Sequence, residues 1–168
     1  GVPVTALGMH PGRPSPLALL RLVRLLRRER PQIVQTWLYH ADLMGTLAAR
    51  LAGVPRLAWN LRCSDMDLGR YRPLTRLVRR LLVLLSPVPD VIIANSEAGL
   101  ALHRRLGYRP RRVEVIPNGF DVARFHPDAA ARAAMRRQLG LPEDAPVIVN
   151  VARLDPMKDH PTLLEAFG

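Results

Sequence analysis

Lysine is almost missing from this chain: of 25 basic residues only Lys158 is a lysine, and the rest are arginines. Cysteine is as scarce. Cys63 stands alone, which excludes an internal disulfide framework and a cysteine-based metal site. Aromatic residues make up 5% of the sequence, too few for the stacking platforms that single-stranded nucleic acids need. No apolar run approaches the roughly 20 residues that cross a bilayer. The opening residues show no charged n-region, apolar h-region and cleavage site, so a reducing, cytoplasmic setting is the expectation. Acidic residues number 14 against 25 basic ones, an excess of 25 − 14 = 11 positive charges. Such an excess calls for anionic company: nucleic acid, phospholipid headgroups or phosphorylated substrates. What is present in quantity is apolar: 48% of 168 residues, with 23% charged, the balance of a soluble globular protein with room for one domain and little more.

The apolar residues come in β-rich runs separated by helical patterns. Runs at 2–9, 31–38, 55–61, 89–96, 111–119 and 145–154 suggest six strands. Segments with 3.6-residue periodicity lie at about 16–30, 41–52, 73–86, 97–106, 129–139 and 159–167. Each is long enough for a right-handed crossover. The pattern predicts an α/β fold, a Rossmann-like parallel sheet with helices on both faces. Punctuation agrees: Pro31, Pro55, Pro89 and Pro110 precede strands, Gly53 and Gly107 follow helices, and Ser96 occupies a helix N-cap. From 117 to 145 turn residues bracket one short alanine-rich helix, the pattern of an interdomain hinge. The expected organisation is therefore a first domain at 1–116, the hinge at 117–145, and the first βα unit of a second Rossmann-like domain at 146–168. Both ends are expected to be truncations, because the chain opens inside a strand entry and closes on one strand and one helix.

The run VIPNGFDVARFHPD, followed by RRQLGLPEDAPVIVNVARLDPMKDHPTLLEAF, resembles the hinge and donor-domain entry of the retaining GT-B glycosyltransferases of group 1, or family four. Upstream, QTWLYHADLMGTLAARLAGVPR and VIIANSEAGLALHRRLG are similar to acceptor-side elements of the same family. The resemblance implies two Rossmann-like domains facing across a cleft. It implies transfer of a sugar from a nucleotide-sugar donor to a glycan or lipid-linked acceptor with retention, without a metal or other cofactor. It also implies that the 168-residue chain alone is inactive, since the dicarboxylate motif that handles the donor sugar in this family lies further along the second domain.

The residues have a chemical logic of their own. Departure of a nucleoside diphosphate loads negative charge onto phosphate oxygens, which fixed cations stabilise. Arg153 at a strand end and Lys158 at the following helix start are the candidates, at the carboxyl edge where open α/β sheets bind ligands, with the helix start near Pro161 aiming N–H groups at the same place. A solvated pair of basic residues is the plain alternative. Where the family usually shows glycine before the arginine and after the lysine, Ala152 and Asp159 stand here. Asp159 sets a carboxylate beside the phosphates unless it turns away to cap the helix. On the acceptor side, Asn60, Leu61 and Arg62 occupy the neighbourhood where many relatives carry a histidine. Arg62 offers a guanidinium fork to phosphate or carboxylate, and Asn60 and His40 are further substrate-binding candidates. Asn118 and Gly119 read as a tight turn needing a permissive backbone, beside the active cleft in the family. His10, His103, His126 and His160 show no metal-ligand spacing.

Arginines cluster at 21–30, 70–80 and 104–112. In the second cluster Arg72, Arg76, Arg79 and Arg80 are expected on one helical face, opposite Leu74, Leu77, Val78, Leu81 and Leu85. The pattern suits a peripheral helix on an anionic membrane surface, and equally an ordinary core-facing helix with a solvated arginine face. Two further readings remain open: a sugar-nucleotide 2-epimerase of the same architecture, and a basic nucleic-acid-binding module, although no nucleic-acid recognition motif is visible.

Overall fold

The computed structural model describes residues 1–9, 15–62 and 73–167. Cys63, Arg72 and His10 lie outside the described residues. The chain forms two compact units, Gly1–Gly119 and Phe120–Gly168, a division that falls within the segment read as a hinge.

The first unit is an α/β layer structure. Helix α1 (Pro16–Glu29) leads to strand β1 (Ile33–Trp37), α2 (Tyr39–Ala52), β2 (Arg56–Leu61), α3 (Pro73–Leu85), β3 (Val91–Ala94), α4 (Glu97–Arg105) and β4 (Val113–Val115). The strands form one parallel sheet in the order β1-β2-β3-β4. Local chemistry sets the boundaries. Ser15 and Ser96 cap α1 and α4 by accepting from Ala18 N at 3.2 Å and Gly99 N at 3.1 Å. Gly53 and Gly107 take the left-handed conformation after α2 and α4, at φ 75° and 97°.

Burial is deepest on β2, where Leu57 to Leu61 are all buried, as expected of an inner strand of a parallel sheet. Trp59, Ile92 and Leu82 make the centre of the core, with Tyr39, Val78, Leu100 and Tyr108 around them. Gly45 lets α2 approach β1, because a Cβ there would fall against Thr36 Cγ2.

Two expected strands do not form. Residues 2–9 carry no regular structure, with Val2 and Val4 87% and 92% exposed. Residues 145–154 are likewise irregular. A strand is held by its ladder partner, and among the described residues the second unit contains no other strand. The second unit holds α5 (Ala129–Gln138), a 3-10 turn (Pro156–Lys158) and α6 (His160–Glu165).

The faces of α3 also differ from expectation. Val78 and Leu82 point inward, Arg79 is half-buried, and Leu77 and Leu81 are exposed. An arginine stem packs as a hydrocarbon, so Arg79 can share the inner side and turn the leucines outward.

Candidate functional site

The register places the strand ends together: Trp37 lies beside Asn60, Leu61 beside Ala94, and Ala94 beside Val115. The segments that follow, at 38–40, 62, 95–96 and 116–119, thus share the carboxyl edge of the sheet, where open α/β folds bind ligands. Arg62 leaves β2 at this edge and its Nη1 donates to Asn118 Oδ1 at 2.7 Å. β3 lies between their two strands, so the guanidinium spans its end. Two residues 56 positions apart are thereby joined at the edge, both exposed, with a planar donor fork held by an amide.

The other acceptor-side candidates divide. His40 is exposed in the first turn of α2. Asn60 is 1% exposed; its Nδ2 donates to Thr36 O at 3.1 Å and its Oδ1 has no partner among the described residues. It is a constituent of the interior, out of reach of a substrate, because its position on an inner strand is covered on both faces. Gly119 makes no tight turn. Its φ is not left-handed, an added Cβ would meet nothing within 4 Å, and residues 116–121 carry no turn. Backbone strain sits instead at Leu38, φ 75° and ψ 150°, where β1 turns into α2. That region costs a bulky residue about 1–3 kcal/mol.

Beneath the edge lies a buried polar network that sequence reasoning missed. Thr36 Oγ1 donates to Asp42 Oδ1 at 2.5 Å, Thr46 Oγ1 to Asp42 O at 2.6 Å, and Trp59 Nε1 to Thr46 Oγ1 at 2.9 Å. Burial pushes the Asp42 carboxyl up to about 7, against which the Thr36 hydrogen bond acts. Beside it, His103 Nδ1 lies 2.7 Å from Gly99 O and Nε2 lies 2.8 Å from the Tyr39 hydroxyl. A carbonyl only accepts, so Nδ1 carries the proton and Tyr39 donates to Nε2. Burial holds His103 below its usual range, with the Arg79 cation acting in the same direction and the Gly99 bond opposing. Tyr108 packs edge-on to His103 with ring centroids 5.0 Å apart. Burial pushes its phenol up.

In the second unit, Arg153 is 81% exposed at the side chain and lies 4.0 Å from Asp155 Oδ2. Lys158 is exposed at the end of the 3-10 turn, whose N–H closes on Asp155 O at 2.8 Å. His160 ties this loop together: Nε2 donates to Arg153 O at 2.8 Å and Nδ1 faces Asn150 Nδ2 at 3.4 Å. Asp159 does not cap α6; it adopts φ 47°, ψ 47° with no side-chain cap bond. That left-handed backbone is where glycine is most at ease and where an aspartate is strained. Further back, Arg136 is buried and clamps the following loop through Nη1 to Pro142 O and Nη2 to Ala145 O, the latter at 2.6 Å.

A groove of about 500 Å³ opens at the opposite, amino end of the first unit's sheet, lined by Leu26, Arg27, Arg30, Gln32 and Val54 among others. None of the candidate site residues reaches it. Among the described residues no three His, Cys, Asp or Glu side chains come together as a metal site.

Comparison with known proteins places this edge in a wider setting. The chain is 29% identical over 151 residues to UDP-Gal:alpha-D-GlcNAc-diphosphoundecaprenol alpha-1,3-galactosyltransferase of Escherichia coli, which covers 89% of this chain and 39% of that protein. It is 42% identical over 78 residues to D-inositol 3-phosphate glycosyltransferase of Geodermatophilus obscurus, covering 46% of this chain and 17% of that one. The chain therefore spans about two fifths or less of the length of these relatives. In fold it is similar to Anabaena Alr3699/HepE, solved in complex with UDP-glucose, at a TM-score of 0.72 and 23% identity over 89% of this chain and 39% of the other. The model of Glycosyltransferase Family 4 matches residues 1–124, the whole of the first unit with its Arg62–Asn118 edge, and the chain belongs to that family.

Proposed function

We propose that this chain forms part of a glycosyltransferase that moves a sugar from a nucleotide-sugar donor to a glycan or lipid-linked acceptor, with retention at the anomeric carbon. The family match over residues 1–124 carries the reading. It favours a transferase over the epimerase and the nucleic-acid module. In this reading the carboxyl edge of the first unit, with Arg62, Asn118 and His40, receives substrate. Arg153 and Lys158 hold the donor diphosphate, their charge being most valuable as the leaving group becomes more negative. His160 fixes the Arg153 backbone, so the loop is set before the donor arrives. Transfer is metal-independent in this reading, as the resemblance to the family implies.

The acceptor is lipid-borne in this reading, as the name of the Escherichia coli relative states for that protein, and the enzyme works as a peripheral protein on the cytoplasmic face of a membrane. No helix among the described residues is long and apolar enough to cross one. The test is product analysis in a catalytically competent protein carrying this sequence. Nucleotide sugar is supplied with a polyprenyl-diphosphate sugar or with inositol phosphate, with and without EDTA. A retained glycosidic linkage formed only with acceptor is expected; an epimerised nucleotide sugar formed without acceptor would contradict it.

A further inference from the structure

Asn118 and Gly119 form no turn, and this leaves their own chemistry open. Both are exposed on a stretch, residues 116–121, without regular structure, and Gly119 N makes no hydrogen bond among the described residues. Asparagine is one of the chemically labile side chains. Its amide carbon can close a five-membered ring onto the nitrogen of the next residue, a closure that the next residue's side chain obstructs. The chain has asparagine at 60, 95, 118 and 150, followed by Leu61, Ser96, Gly119 and Val151. Only at 118 is the obstruction missing. A second observation is electrostatic. Arg62 Nη1 donates to Asn118 Oδ1 at 2.7 Å. A cation on that oxygen draws electrons from the amide carbon and stabilises the negative charge that the oxygen takes up when the carbon is attacked, as the donors of an oxyanion hole do.

We infer that Asn118 is a self-modification site, ageing to aspartate and isoaspartate through a cyclic imide formed with Gly119. A solvent base takes the Gly119 N–H proton, and the nitrogen attacks Asn118 Cγ to form a new C–N bond. The Cγ–Nδ2 bond then breaks, and ammonia leaves with a proton from solvent. Water reopens the ring: cleavage at Cγ gives aspartate, and cleavage at the Asn118 backbone carbonyl gives isoaspartate. Nothing is oxidised or reduced, and water is the one reagent consumed. Either product sets a carboxylate where the amide accepted from Arg62, so an ion pair neutralises the guanidinium within its own edge. Isoaspartate also leads the main chain through Cβ, lengthening it by one methylene where the first unit ends at Gly119. The loss of a free Arg62 for substrate rests on the proposed function; the conversion itself does not.

The experiment is peptide mapping by mass spectrometry of the 168-residue chain during prolonged incubation in neutral buffer, with isoaspartate read by enzymatic methyl transfer. An amide-to-acid mass change at Asn118 alone is expected, as a mixture of aspartate and isoaspartate peptides. Gly119→Ala should abolish the conversion over the same period, and it leaves the fold intact because the Gly119 φ is not left-handed and the new Cβ meets nothing within 4 Å. Arg62→Ala should slow it by about 10-fold, less than the 10²–10³ of an enclosed oxyanion hole because solvent screens this exposed contact. An intact Asn118 would overturn the inference, and equal conversion at Asn95 or Asn150 would overturn its assignment to this pair. An undiminished rate in Arg62→Ala would overturn the part given to the guanidinium. In a catalytically competent protein carrying this sequence, Asn118→Asp should raise KM for a polyprenyl-diphosphate sugar by up to about 5-fold, the strength of an exposed ion pair that substrate must displace. An unchanged KM would overturn the consequence for Arg62 and with it that residue's place in the proposed function, while the mass measurement judges the conversion separately.

Discussion

Asp42 and His103 should make the stability of the first unit nearly independent of pH over a range where each alone would tilt it. Asp42 rises from 3.8 to about 7 on folding. At about 1.4 kcal/mol per pH unit, that rise from 3.8 to about 7 amounts to at most about 4.5 kcal/mol. The folded state holds a proton that the unfolded state has released between those values, so the contribution is full below 3.8 and is lost as pH rises to about 7. His103 is lowered from 6.5 by burial. Its contribution is full above 6.5 and is lost as pH falls toward its folded value. Below 6.5 the two proton balances oppose each other and cancel. The other polar groups around the pair are the Tyr39 and Tyr108 phenols and the Arg79 guanidinium. Asp90 is lowered chiefly by the Leu57 N–H, and it acts below 3.8. The assay is urea unfolding followed by Trp59, which is fully buried and bonded to Thr46, between pH 4.5 and 8. Asp42→Asn should unmask the histidine, with stability falling on acidification below 6.5 by up to about 1.4 kcal/mol per pH unit, and should exceed the wild type at pH 8. His103→Gln should unmask the opposite slope, stability falling as pH rises toward 7. Parallel pH profiles for wild type and both variants would refute the reasoning.

Other consequences follow from single contacts. Arg136→Ala should destabilise the second unit by about 1–2 kcal/mol, because two part-buried carbonyls lose a charged donor, and Arg136→Lys should recover less than half, since one ammonium cannot span Pro142 and Ala145; amide exchange at Leu141, whose N–H bonds Arg136 O, measures both. Gly45→Ala should cost about 1–2 kcal/mol in thermal or urea unfolding despite alanine's better helix propensity, because the new methyl displaces Thr36. Leu38→Gly should be neutral or stabilising by up to about 1 kcal/mol, against the usual penalty of a glycine, since it releases a left-handed leucine.

Punctuation made the first unit's sheet readable in advance: proline before each strand, glycine or serine at helix ends, and apolar runs bounded on both sides. The same signals could not say whether a run finds a partner. Residues 2–9 and 145–154 have strand composition, yet a strand depends on a neighbour that composition does not reveal. Helical periodicity located α3 but set its faces wrongly, since Leu77 and Leu82 are equally apolar and only packing decides which is covered. Arg62 and Asn118 were each named from the sequence, while their hydrogen bond across the end of β3 depends on register. Asp42 and His103 were hidden because a polar residue inside a helix reads as a surface residue until its partners, 6 and 64 positions away along the chain, are known. Lys158 stands out in the sequence by scarcity alone, a lysine where arginine fills every other basic position.

Lys158 also offers the most direct test of the account. In the proposed function its exposed ammonium at the end of the 3-10 turn serves the donor diphosphate as a compact point charge, which a guanidinium does not reproduce. The measurement is kcat/KM for the nucleotide sugar in a catalytically competent protein carrying this sequence, with Lys158→Ala and Lys158→Arg compared at matched thermal stability. Lys158→Ala should lower kcat/KM by about 10²-fold or more and Lys158→Arg should restore only part of it, with Tm unchanged in both. Near-normal turnover of Lys158→Ala would contradict the assignment of the donor diphosphate to Arg153 and Lys158.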